Sequence, residues 1–329
     1  MPLQKIWEQS GRKKLSQRLN KFPIHKICKM KSGTLLCLQG SVPLSSINRN
    51  GEVMAKTIFV LLDGCGFGVG ERNLGYAEHL IEQGLGAKYR VLGELPSMSR
   101  PIYETLLTGL PVCRHGISNN LVVRRSNCIS VFDLCRKNGL KTAASAYHWI
   151  SELYVKSPFH YAKDRIQLQT NSSIEDGIYY FEDSYPDSHV FADAEFLRER
   201  SNPDFLLIHS MNIDDAGHRF TSDSREYETA TAKANIVLSS CLPQWLEQKC
   251  SVLITADHGM NEVGLHGGNT ELQRDAPLYL FANDVLPGDF SSKHISQLYV
   301  APLLCHLLGI EPSDEMKNPE ETGVKFFGE

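Results

Sequence analysis

Three short apolar runs in this chain stop on acidic residues. Thr57-Ile-Phe-Val-Leu-Leu62 runs into Asp63, Phe205–Met211 leads to Asp214, and Val252–Ala256 runs into Asp257-His258. Runs that are apolar at nearly every position and bounded by polar residues read as strands buried on both faces. Helical periodicities lie between them. Strands that alternate with helices imply an α/β fold with a mainly parallel central sheet and helices on both faces. The chemistry of such sheets sits beyond the carboxyl ends of the strands. The sequence therefore predicts carboxylates from three strands on one rim.

The same periodicity predicts further strands over 142–147 and 276–281, and helices over 75–83, 103–107, 130–137, 192–200, 224–246 and 295–308. Residues 151–190 break the rhythm and carry seven aromatics, among them Tyr154, Phe159, Tyr161 and Tyr179. They are expected to form an inserted loop or small cap over the rim. The regular pattern begins only after Met54, so residues 54–329 are expected to be the catalytic domain. Residues 1–53 hold ten Lys/Arg against two Glu and read as a poorly ordered basic extension, with Met54 as a second candidate start. The other 276 residues hold 24 basic and 36 acidic side chains, which repel phosphate chains and argue against non-specific nucleic-acid binding.

Nine cysteines without a CxxC pair read as reduced thiols. No apolar run reaches the ~20 residues that span a bilayer, and the N-terminus lacks the apolar core of a secretory signal. The expectation is a cytoplasmic protein with no membrane or nucleic-acid partner. The sequence carries no signal for its oligomeric state.

Asp63, Asp214, His218, Asp257, His258 and His266 form a ligand inventory of oxygen and nitrogen donors. Such donors suit Zn, Mn or Fe rather than Ca. Asp214 and His218 are four residues apart, so one helical turn or a tight loop brings both to one ion. Asp257 and His258 are adjacent and would diverge on a regular strand. At a strand end, where the chain turns, they can converge.

The sequence resembles the alkaline phosphatase superfamily, and within it the nucleotide pyrophosphatase/phosphodiesterase branch. The resemblance runs from about Met54 to Gly309 and rests on ordered motifs: Leu61-Leu-Asp-Gly64, Ser99-Arg-Pro-Ile-Tyr-Glu-Thr-Leu-Leu-Thr-Gly109, His115-Gly-Ile-Ser-Asn-Asn120, Asp214-Asp-Ala-Gly-His218, Thr255-Ala-Asp-His-Gly-Met260 and His266-Gly. It implies an alkaline-phosphatase-like three-layer sandwich with two divalent ions, Zn first and Mn or Fe compatible. One ion would be held by Asp214, His218 and His266, the other by Asp63, Asp257, His258 and the nucleophile Ser99.

The implied chemistry is in-line attack of Ser99 on a small-molecule phosphate ester substrate through a phosphoserine intermediate. Asn120, with a backbone N–H near Ser99, would hold a non-bridging oxygen. An amide donor there suits a phosphodiester or nucleotide pyrophosphate. A phosphomonoesterase, phosphonate hydrolase or sulfatase on the same scaffold is the alternative. Arg100 reads as a surface or helix-start cation, with reach to a phosphate as its other reading. The 151–190 region would choose the leaving group.

Overall fold

The structure is a computed structural model and describes residues 56–318 and 321–327. The basic extension expected over 1–53 lies outside the described residues.

Nine strands form one sheet. They are β1 (Thr57–Leu62), β2 (Ala87–Leu92), β3 (Thr142–Tyr147), β4 (Ile166–Gln167), β5 (Asp176–Tyr180), β6 (Phe205–Ser210), β7 (Ser251–Thr255), β8 (Asp275–Phe281) and β9 (Gly288–Ser296). The order across the sheet is β4-β5-β3-β6-β1-β7-β8-β2-β9. The five strands from β5 to β7 are mutually parallel, and β8 enters antiparallel between β7 and β2. Every residue of β1, β6 and β7 is buried, as their apolar runs require.

Register explains the rim. β1 lies between β6 and β7, with Leu62 opposite Ser210 and Leu61 opposite Thr255. The chain leaves all three strands at one level, so Asp63, Asp257 and the helix Asn212–Phe220 emerge side by side.

Helix starts follow local chemistry. Ser130 and Asp133 form a capping box before the helix Val131–Lys137. The Ser224 side chain accepts the Tyr227 N–H at 3.1 Å and opens the helix Arg225–Glu247.

The structure departs from the sequence reading in three places. The 151–190 segment supplies sheet as well as loop: β5 pairs parallel with β3, and β4 pairs antiparallel with β5 at the sheet edge. Tyr154, Tyr179 and Tyr180 belong to the hydrophobic core. The short run Asp176-Gly-Ile-Tyr-Tyr180 hides its strand character behind Gly177, where any Cβ would strike the Tyr179 ring.

Strand β2 was masked by Lys88 and Arg90. The Lys88 ammonium is buried yet paired to Glu71 at 2.7 Å and Glu78 at 3.0 Å. The helix predicted over 295–308 is β9 through Ser296, a 3₁₀ turn, and then a helix over Val300–Leu308. Among the described residues, no helix is long and apolar enough to cross a membrane.

Candidate active site at three strand ends

Ser99 is the first residue of the helix Ser99–Thr108 and is 3% exposed. Its Oγ lies 3.1 Å from His258 Nε2. Around that contact the structure gathers all six expected ligands. Asp63, Asp257 and His258 present donor atoms within 4.8 Å of one another, as do Asp214, His258 and His266. His218 Nε2 reaches Asp214 Oδ2 at 3.3 Å and His266 Nε2 at 3.1 Å. The rings of His258 and His266 stack at 3.7 Å. His258 therefore belongs to both halves of the cluster.

Backbone carbonyls fix the tautomers. His218 Nδ1 donates to the Gly264 carbonyl (2.9 Å), His258 Nδ1 to Gly259 (3.1 Å) and His266 Nδ1 to Ser97 (3.0 Å). A carbonyl only accepts, so each Nδ1 carries a proton, and in the neutral imidazole Nε2 keeps the lone pair. Burial pushes the His258 and His266 imidazoles down to about 3, which keeps both neutral. Burial also raises the Asp257 carboxyl to about 6. Asp63 and Asp214 are raised by burial first and by the Asp257 charge second.

Asp63 Oδ1, Asp214 Oδ1 and Asp257 Oδ2 are buried without a hydrogen-bond partner. Three orphaned carboxylate oxygens and facing imidazole lone pairs repel one another. A cation relieves that repulsion, so the residues present fit divalent ions.

The loop geometry is bought by Gly64. It sits at φ +71°, and a Cβ there would lie 2.7 Å from Asp214 Cα. Its N–H donates to Asp257 Oδ1 at 3.1 Å, and the His258 N–H donates to the same oxygen at 2.9 Å.

The sequence pattern of the type I phosphodiesterase / nucleotide pyrophosphatase family matches residues 57–278, a span that holds every one of these groups. The chain belongs to that family. Its relatives include the human GPI ethanolamine phosphate transferase 2 catalytic subunit, 25% identical over 289 residues, covering 80% of this chain and 27% of the relative. The human GPI ethanolamine phosphate transferase 3 catalytic subunit is 30% identical over 110 residues, 32% of this chain and 10% of the relative. The chain thus spans about a quarter of the first of these proteins, and a tenth of the second.

Among solved structures, murine ectonucleotide pyrophosphatase / phosphodiesterase 5, as an inactive variant in complex with AMP, superposes with a TM-score of 0.63 at 13% identity. It covers 80% of this chain and 97% of that one. The human counterpart gives 0.63 at 14% identity, with coverage of 80% and 97%. These likenesses establish an alkaline-phosphatase-like fold.

Within this phosphodiesterase-family site the structure corrects two expectations. Arg100 is neither a surface cation nor a phosphate clamp. It is 1% exposed, pairs with Glu152 at 2.7 Å, donates to the Val122 carbonyl at 3.1 Å and lies 4.6 Å from the Trp149 ring. A guanidinium so enclosed is structural, and removing its partner would cost about 3–5 kcal/mol. The Arg100 N–H is not free for an anion either: it donates to Asn120 Oδ1 at 3.0 Å. That bond turns the Asn120 NH₂ away from Arg100.

Sequence reasoning missed three supporting residues. Tyr103 and His209 both donate to Asp63 Oδ2, His209 at 3.0 Å. Tyr227 donates to the Gly64 carbonyl and accepts the Gly66 N–H at 3.2 Å, pinning the loop after β1. Tyr103 is one turn beyond Ser99 on its helix, and His209 and Ser210 are the polar residues of an otherwise apolar β6, but neither position names its partner. The expected motif residue His115 acts from behind. Its Nδ1 accepts the Ile117 N–H (3.1 Å) and its Nε2 faces Thr105 Oγ1 (3.0 Å). It ties the loop that carries Asn120 to the helix that carries Ser99.

Proposed function

We propose that the protein is a metal-dependent phosphoester hydrolase of the phosphodiester or nucleotide pyrophosphate type, with Ser99 as its nucleophile. The observation that carries this reading is the Ser99 hydroxyl, 3.1 Å from a neutral His258 Nε2, at the centre of convergent carboxylates and imidazoles. Asp214, His218 and His266 would hold one divalent ion, and Asp63, Asp257, His258 and Ser99 a second. The donor set suits Zn, with Mn or Fe compatible. Ions bound there supply Lewis-acid stabilisation of phosphoryl charge and acidify a hydroxyl.

The chain's own residues do the rest. Ser99 Oγ forms a bond to phosphorus as the bond to the leaving oxygen breaks, and that oxygen departs with the electron pair. Ser99 is left esterified to the phosphoryl group, which keeps its second substituent, and the Ser99 proton leaves with the departing oxygen. Water then attacks that phosphorus, the Oγ–P bond breaks with its electron pair going to Oγ, and a proton from the water restores the hydroxyl. Asn120, held through its Oδ1, directs its NH₂ to a non-bridging oxygen. A single amide donor, with Arg100 spent on Glu152, favours a diester monoanion over a monoester dianion.

A second reading is favoured by the ethanolamine phosphate transferase relatives: an alcohol instead of water takes the group from Ser99. Product analysis with bis(p-nitrophenyl) phosphate in the presence of added alcohols separates hydrolysis from transfer. The nucleophile is tested by Ser99→Ala, expected to lower kcat at least ~10³-fold while bound metal stays near wild type. Retention of a tenth of wild-type kcat would remove Ser99 from the role.

A further inference from the structure

Asp63 has no contact with water, yet its two oxygens are treated very differently. Oδ2 accepts from both the Tyr103 hydroxyl and His209 Nε2, whereas Oδ1 has no partner and faces His258 Nε2 at 3.7 Å. Asp257 shows the same division by other means. Its Oδ1 takes two backbone N–H groups and its Oδ2 takes none. Each carboxylate thus commits one oxygen to the fold and leaves one for the site. The difference is that the donors to Asp63 are replaceable side chains.

We propose that Tyr103 and His209 are positioning residues for Asp63, which occupy its Oδ2 together and so reserve Oδ1 for a divalent cation. The placement of His209 supports this. It is fully buried in β6, and its Nδ1 has no partner. An unpaired buried nitrogen carries a desolvation cost that packing alone gives no reason to accept. The Tyr103 and His209 rings meet edge-on at 4.6 Å, and the Tyr180 hydroxyl holds the His209 carbonyl at 2.9 Å, so each donor braces the other. Tyr103 also rides on the Ser99 helix, which couples the aim of Asp63 to the position of the nucleophile. Partners of this kind tune metal affinity about 10–100-fold in other metal sites.

The inference rests on the cation-binding reading above. The test uses the full chain stripped of metal, titrated with Zn²⁺ by calorimetry and with Co²⁺ by visible absorption. Tyr103→Phe and His209→Leu are expected to weaken one equivalent of bound ion at least tenfold and to alter the Co²⁺ spectrum. His209→Gln, whose amide nitrogen falls near the lost Nε2, is expected to restore most of the affinity. Ser145→Ala, on β3 beside β6, removes a buried hydroxyl that donates to the Val190 carbonyl of the helix Asp187–Ser201. It is the control for general destabilisation and should bind as wild type.

Wild-type uptake of Zn²⁺ with unchanged affinity in Tyr103→Phe and His209→Leu would overturn the inference alone. No uptake by the wild type would remove the cation reading itself. If one variant fails to fold, the other decides.

Discussion

Asp63, Asp257 and His258 have side chains with 0% exposure, whereas His218, at the other end of the same cluster, shows 40% of its side chain to water. The deep half is fixed from behind. Backbone amides hold Asp257, and Tyr103 and His209 hold Asp63. The shallow half is fixed at the histidines by the carbonyls of Gly264 and Ser97, and through the anchoring of one helix. A nucleophile gains from rigid neighbours because its approach geometry is set in advance. A leaving group and an incoming acceptor need an open side. Under the proposed function, the deep half would activate Ser99 and the shallow half would handle departure and entry.

The largest effect should come from breaking the residue that both halves share. His258→Ala is expected to lower bound metal to below half of wild type and to abolish turnover. His218→Ala should weaken only one equivalent and leave the other bound. Elemental analysis and metal titration of the two variants check this. Equal losses would erase the distinction between deep and shallow halves.

Asn120→Ala comes next. It leaves metal content unchanged and is expected to lower kcat about 10²-fold, the usual cost of one such donor. The loss should appear in kcat more than in KM if the amide meets the reacting oxygen mainly in the transition state.

The smallest expected effect concerns the scaffold behind the shallow half. Asp187 and Asn212 exchange hydrogen bonds at 3.0 and 3.3 Å, which anchors the start of the helix Asn212–Phe220. Burial lifts the Asp187 carboxyl to about 7, opposed by backbone N–H bonds from Asn212 and Met211. Its unfolded value is about 3.9. Between those values the folded chain holds a proton that the unfolded chain has released. Stability therefore falls as pH rises from about 4 to about 7 and is level beyond. Asp187→Asn should flatten that slope and raise Tm by a few degrees at pH 8, with little change at pH 4. Thermal melts of the metal-free protein across this range measure it. Parallel curves for wild type and variant would show that the carboxyl stays ionised.

Much of this site was legible because its residues sit at the ends of apolar runs. Strands β1 and β7 run out into Asp63 and Asp257, and β6 is followed by the helix Asn212–Phe220 that carries Asp214. The supporting cast was not legible. The donors to Asp63 come from 40 and 146 residues away, so no local pattern connects them. Arg100 looked exposed because a lone Arg at a helix start usually is. Glu152, 52 residues later, and the Trp149 ring take it inside. Strand β5 was hidden because its five residues include Asp and Gly, and pairing with β3 supplies the stability its composition does not.

The amino-acid order alone determined which donors are available and that their strands run parallel. Those are consequences of periodicity and residue type, which act over a few positions; Ser99 was marked only by the resemblance of its motif to a known family. Only the tertiary structure decided which oxygen of each carboxylate is spent on the fold and which faces the site. That choice depends on partners brought together by strand register across the sheet, and register is a property of packing between distant segments.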